Sequence, residues 1–145
     1  MKLSSRGRYG LKAMVDLAIA YGTGPVSVAA LSKAQGTSIA YLEQLIASLR
    51  KAALVRSIRG AQGGYELARE PKSISVGEVL LVLEGSLSLV DCVEASDSAY
   101  CEKACLCSAR PLFLKLQNKI DGVLYETTLL DLAQDNLEQK RRIET

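Results

Sequence analysis

Histidine and tryptophan are absent from this chain of 145 residues, and phenylalanine occurs once. The lack of histidine excludes imidazole acid–base catalysis, Ser-His and Cys-His nucleophile pairs, and any histidine-ligated metal. So few large aromatic rings argue against a stacking platform for single-stranded nucleic acid. No apolar run approaches the roughly 18 residues that a membrane span requires. The opening stretch Met1-Lys2-Leu3-Ser4-Ser5-Arg6 has no apolar core of the secretory-leader kind, so a cytoplasmic protein without a membrane partner is expected. No glycine-rich phosphate motif follows a strand, and no paired acid site stands out. The chain therefore reads as neither an enzyme nor a binder of a small-molecule substrate.

Hydrophobic residues make up 48% and charged residues 23%, which excludes a disordered or collagen-like chain. The length allows one compact domain with an appended element. The net charge of +2 is unevenly spread. Residues 1–60 hold nine Lys/Arg against Asp16 and Glu43, a net of +7, and residues 61–145 carry −5. A basic half on a near-neutral whole points to a patch for an anionic partner. The four cysteines, Cys92, Cys101, Cys105 and Cys107, fall within 16 residues. In a reducing compartment such clustering signals metal binding or redox chemistry more often than disulfides.

Apolar residues at Leu11, Met14, Val15 and Ala18 recur with a helical period, predicting a helix over 5–21. Ser27 is placed to cap a short helix with Val28, Leu31 and Ala34 inward, and Gln35-Gly36-Thr37 forms a turn. Ser38 opens a third helix that buries Leu42, Leu45, Ile46 and Leu49. Two strands, 54–58 and 65–67, flank a glycine-rich tip, which makes a hairpin. Helix-turn-helix followed by a hairpin is the winged-helix arrangement. Ser75 and Glu78 have capping-box spacing, Ile74 and Val79 staple spacing, and Gly85 closes that helix. Residues 86–108 show no period. Pro111 suits the start of a further helix, with a stripe of Leu112, Leu116, Ile120 and Val123 beside Leu124. Thr128 caps a last short helix over 129–134, and a frayed polar tail follows. The fold class is thus mainly α with a small β-hairpin. Its parts are a winged helix-turn-helix DNA-binding domain (1–85), a cysteine-rich loop (86–110), a long helix, whose apolar stripe suggests a partner, with a short terminal one (111–134), and a tail (135–145).

The second helix of a helix-turn-helix presents its N-terminal residues to base edges in the major groove. Those residues are Ala40, Tyr41, Glu43 and Gln44, and Gln44 has the amide geometry for adenine. Glu43 repels phosphate unless it accepts from a cytosine amino group, so it acts as a filter against other sequences. Arg50 and Arg56 are candidates for phosphate, with Lys51 beside them. Arg59 at the hairpin tip suits a narrow minor groove. Ser38 offers a hydroxyl and helix N-terminal amides to phosphate. Each of these residues taken singly is as well explained by idle solvated surface.

The stretches Met1 to Gly10, Tyr41-Leu42-Glu43-Gln44-Leu45, Leu54 to Tyr65, Cys107-Ser108-Ala109-Arg110-Pro111-Leu112 and Thr127-Thr128-Leu129-Leu130-Asp131-Leu132 carry a resemblance. The chain resembles the bacterial winged-helix transcription regulators of the IscR/NsrR/CymR type, most closely the iron–sulfur cluster branch. The resemblance implies a cytoplasmic homodimer, joined through the long helix, that acts on a double-stranded DNA operator as a repressor. It places the DNA contacts at Ser38, Ala40, Tyr41, Glu43, Gln44 and Arg59; Ala40 departs from relatives that have a hydroxyl there.

Clustered thiolates suit soft metals and iron–sulfur clusters, and the loop lacks the paired C-x2-C knuckles usual for zinc. The resemblance places three cluster ligands at Cys92, Cys101 and Cys107. Arg110 occupies the position of a histidine ligand, and arginine cannot serve as one. The fourth ligand is open between Cys105, a carboxylate such as Asp91 or Glu102, and a partner residue. Resemblance favours a 2Fe-2S over a 4Fe-4S cluster. The competing readings are a cluster-free thiol-redox or zinc-stabilised repressor of sulfur and cysteine metabolism, a nitric-oxide sensor, and a scaffold or electron-transfer protein.

Overall fold

A computed structural model describes residues 2–93 and 106–145. Among them the chain runs α1 (Ser5–Ile19), α2 (Val28–Gln35), α3 (Ile39–Lys51), β1 (Val55–Ile58), β2 (Gly64–Leu67), α4 (Val76–Glu84), α5 (Arg110–Glu126) and α6 (Leu129–Glu144), with short 3-10 turns at Pro71–Ser73 and Asp91–Val93. No described helix is long and apolar enough to cross a membrane.

Serine and threonine hydroxyls start most of the helices. Ser4, Ser27, Ser38, Ser75 and Thr128 each accept a backbone N–H three residues ahead, satisfying a donor that the helix itself cannot pair. At Ser75 and Thr128 the reciprocal bond is also made, from the cap N–H to Glu78 and Asp131. The turn between α2 and α3 needs a left-handed residue, which Gly36 provides at φ 65°. The end of α3 uses alanine for the same purpose. Ala53 has φ 60°, its N–H reaches the Arg50 carbonyl, and the Leu54 N–H reaches that of Leu49. This is a Schellman closure with Leu49 and Leu54 both buried.

Leu42, Leu45, Ile46 and Leu49 of α3 pack with Leu31 of α2 and with Ala13, Met14 and Leu17 of α1 in one core. Leu129 and Ala133 of α6 close that core. A second, smaller cluster joins Val76, Leu80 and Leu87, with Leu124 of α5 against it. Ala34 is exposed rather than inward as its spacing suggests; the core under α2 is filled by Leu31.

The hairpin pairs Val55 with Leu67 and Ile58 with Gly64. A second contact, unforeseen from the sequence, holds its other edge. Val26 bridges Tyr65, with Val26 N–H donating to the Tyr65 carbonyl (2.9 Å) and Tyr65 N–H to the Val26 carbonyl (2.8 Å). The wing is thereby stitched to the segment that leads into α2.

The last helix corrects the sequence reading. It continues to Glu144 instead of ending at 134. Residues 135–144 bury almost nothing, so hydrophobic periodicity carries no signal there. Helix-forming Glu, Gln, Lys and Arg sustain it, and Arg141 and Arg142 in the last turn oppose the helix dipole.

Candidate nucleic-acid interface and cysteine loop

The start of α3 is open on one side. Ser38, Ala40, Glu43 and Gln44 are exposed, while Leu42 and Leu45 between them are fully buried. The helical period therefore separates an exposed row from the core row. Ser38 Oγ accepts from Tyr41 N–H, which leaves its hydroxyl hydrogen free to donate. Tyr41 is half-buried and packs edge-on against Tyr9 of α1, ring centroids 6.0 Å apart. Lys12 Nζ lies 5.6 Å from the Tyr9 centroid. Tyr9 is thus a contributor to this surface that the sequence did not reveal; its ring fixes a residue of the recognition helix from a neighbouring helix.

Arg50 and Lys51 are exposed at the far end of α3. Arg59 is exposed at the wing tip. Backbone geometry explains the glycines beside it. Gly60 has φ 119°, and a Cβ at Gly63 would lie 2.2 Å from the Ile58 carbonyl oxygen. Arg56 already has a protein partner. It pairs across the hairpin with Glu66, Nη2 to Oε1 at 2.5 Å and Nε to Oε1 at 2.6 Å. Its charge is already partnered, and a cross-strand pair sets hairpin register, so its availability to phosphate is lower than that of Arg50 or Arg59.

Glu78, at the start of α4, shows the electrostatics of a cap. Burial alone would raise its carboxyl, but bonds from the Ser75 N–H, from Arg69 and from the Ser75 hydroxyl outweigh burial. The net effect holds the carboxyl below the usual glutamate range.

The chain from Leu87 to Val93 leads toward the cysteines. Gln117 of α5 is buried beneath it, accepting from Leu89 N–H (2.6 Å) and donating to the Leu87 carbonyl (3.2 Å) and Asp121 (2.9 Å). Cys92 is half-buried and Cys107 exposed, and both are free thiols. Cys101, Glu102 and Cys105 lie outside the described residues. Among the described residues no group of three metal-binding side chains is assembled. Asp91 is exposed next to Cys92. Arg110 opens α5 and its N–H donates to the Cys107 carbonyl (3.4 Å), yet its Nε is buried without a hydrogen-bond partner among the described residues.

On α5 the apolar stripe faces away from the chain's own core. Leu112, Leu116 and Val123 are exposed, by 66% at Val123, and Ile120 is half-buried. The opposite side holds α5 to α4 at close range, since a Cβ at Gly77 would meet the Tyr125 ring at 2.6 Å.

Residues 3–135 match the profile of the Rrf2 family, described as iron-dependent transcriptional regulators. The chain belongs to the Rrf2 family. It is 43% identical over 133 residues to the HTH-type transcriptional regulator CymR of Bacillus subtilis, covering 92% of this chain and 90% of that protein. The solved structure of CymR, the global cysteine regulator of B. subtilis, superposes with a TM-score of 0.78 at 42% identity, over 92% of this chain and 97% of that one. The HTH-type transcriptional regulator IscR of Photobacterium profundum is 41% identical over 136 residues, 94% of this chain and 77% of that one. The structure of T. potens IscR gives a TM-score of 0.75 at 45% identity, over 94% of this chain and 88% of that one. This Rrf2 protein is accordingly a transcriptional regulator with a winged-helix fold, and not an enzyme.

Proposed function

We propose that this Rrf2 protein is a cytoplasmic, homodimeric repressor that reports iron–sulfur cluster status to a double-stranded DNA operator. Four cysteines confined to one inter-helix loop carry the reading. Cys92, Cys101 and Cys107 would hold the cluster, with Cys105 as fourth ligand. A cluster with four thiolates carries net negative charge, and Arg110 Nε, beside Cys107, is a buried donor without an acceptor among the described residues. The donor set and its surroundings fit such a group. When bound, the cluster would supply an iron- and oxidant-responsive charge to the loop.

The chain's own residues account for the response. Gln117 fastens the entering backbone to α5, and Tyr125 seats α5 on Gly77 of α4. Val76 N–H donates to the Thr127 carbonyl and Leu129 N–H to that of Ile74, tying the junction of α5 and α6 to the DNA-binding part. A change in loop path is thus delivered to the helix whose exposed stripe would pair with its copy, and so to the spacing of two recognition helices. Operator binding of apo and loaded protein tests this: the two forms should differ in affinity on at least one operator, and equal affinity on every operator would sink it.

A second reading is favoured by the CymR likeness and by the two free thiols. In it, Cys92 and Cys107 serve a cluster-free thiol switch. It calls for a colourless protein whose DNA binding follows oxidant and reductant.

A further inference from the structure

Helix α1 has no acidic residue in its first turn, although a carboxylate there would pair free N–H groups and meet the positive end of the helix dipole. The carboxylate comes instead from a residue 80 positions away. Glu84 Oε1, on the last residue of α4, accepts from Ser4 N–H (2.9 Å) and from the Ser4 hydroxyl (2.8 Å). Ser4 Oγ in turn accepts from Gly7 N–H (3.3 Å). This is the reciprocal bonding of a capping box, with its carboxylate supplied by a different helix. In its own helix Glu84 is misplaced, because a carboxylate in a last turn opposes the dipole and no basic residue accompanies it there. Arg6 Nε adds a second tie at the same joint, donating to the Leu83 carbonyl (3.5 Å). Gly7 is buried, and a Cβ on it would collide with the Glu84 carboxylate; the three nearest atoms all belong to that side chain. Glycine is a poor helix former, so its place in the first turn is explained by the slot it leaves for Glu84.

The residue that depends on this joint lies just beyond the first turn. The Tyr9 ring packs edge-on against Tyr41 of α3, and the Lys12 ammonium lies over the same ring. A helix that loses its cap frays from that end, which frees Tyr9. We propose that Glu84 is a positioning residue for operator binding: it caps α1 from the end of α4 and thereby holds Tyr9 where it supports Tyr41 of the recognition helix. Glu84 acts through Tyr9 and makes no contact with DNA itself. This rests on the DNA-binding reading of α3 and not on the cluster. Its sign opposes simple electrostatics. Removing a carboxylate from a protein that binds phosphates should strengthen binding, whereas loss of the cap weakens it.

The test uses the full chain and the duplex that the wild type selects from a random-sequence pool, at a temperature where every variant keeps the wild-type helical circular dichroism. Glu84→Ala should weaken binding by about fivefold. Glu84→Gln keeps an acceptor for Ser4 and should stay within about twofold of wild type. Gly7→Ala displaces the carboxylate and should reproduce the Glu84→Ala loss, and the Gly7→Ala/Glu84→Ala double variant should bind no more weakly than either alone. In a Tyr9→Leu background Glu84→Ala should cause no further loss. Unchanged or tighter binding by Glu84→Ala, even with a lowered melting temperature, would leave Glu84 a merely structural cap and overturn the proposal. Losses that add in the Gly7 double variant or in the Tyr9→Leu background would overturn it as well. A wild type that selects no duplex would refute the DNA reading and the proposal together, whereas selective binding that is indifferent to Glu84→Ala refutes the proposal alone.

Discussion

Replacing Gly64 with alanine perturbs the wing at its least forgiving point. A Cβ there would lie 2.4 Å from the Val26 carbonyl oxygen and 2.5 Å from its carbon. Both are backbone atoms, so no side-chain rotation relieves the clash. The segment at Val26 must move away, and the two hydrogen bonds between Val26 and Tyr65 are lost. At about 1 kcal/mol each, plus residual strain from overpacking, the cost is about 2–3 kcal/mol. For a chain of this size that lowers the melting temperature by about 5–10 °C. The wing also loses its anchor to the segment leading into α2, so Arg59 is no longer held in place. Operator affinity should fall by about tenfold, the loss of one good contact. Thermal unfolding followed by circular dichroism, together with operator titration, measures both effects. Gly60→Ala is the control: its φ is 119° but nothing lies within 4 Å of the added Cβ, so it costs strain alone. A Gly64→Ala protein that melts with wild type and binds operator equally would refute the interlock.

Arg59→Ala should weaken operator binding about tenfold and reduce discrimination at an A·T-rich position; an unchanged footprint and affinity would dismiss the minor-groove role. Ala53→Gly should stabilise the protein by about 0.5–1 kcal/mol, because it relieves a left-handed alanine at the end of α3; denaturant unfolding with no gain would mean that the site is unstrained. Glu78 has a depressed carboxyl in the folded chain, so its stabilisation is complete above the ordinary glutamate range near about 4.3 and declines as pH falls further. The stability gap between wild type and Glu78→Gln should therefore shrink in acid, and a gap constant with pH would contradict the cap assignment. Leu116→Glu should dissociate the proposed dimer in sedimentation, whereas an unaltered mass would show that the α5 stripe is not its interface.

Most helix starts were legible because their chemistry is local. The hydroxyls of Ser27, Ser38, Ser75 and Thr128 act within one turn of chain, and all four cap as their spacing indicates. The buried faces of α3 and α4 followed from helical period; on α1 the period found Met14 and Ala18, whereas Leu11 and Val15 are only half-buried and Ala13 and Leu17 join the core instead. What escaped is held by partners distant in sequence or by no burial at all. Val26 with Tyr65 and Tyr9 with Tyr41 are pairings of separate elements. Glu66 claims Arg56 across the hairpin, which the basic balance of the first half does not show. The second half of α6 has no buried face for periodicity to report. In the candidate site, Ser38, Ala40, Glu43, Gln44 and Arg59 are exposed, as idle surface residues also are, so exposure alone does not assign them to DNA. At the cysteines, Cys92 and Cys107 bracket the loop, and the assignments to Cys101 and Cys105 fall outside the described residues.

Anaerobic purification with a visible spectrum and iron and acid-labile sulfide analysis tests the central proposal most directly. Wild type and Cys105→Ala should be compared in the same preparation. The account predicts a coloured wild type with bound sulfide and a Cys105→Ala protein that has lost it. A wild type that stays colourless and free of sulfide after reconstitution would contradict the cluster reading and leave the thiol switch in its place.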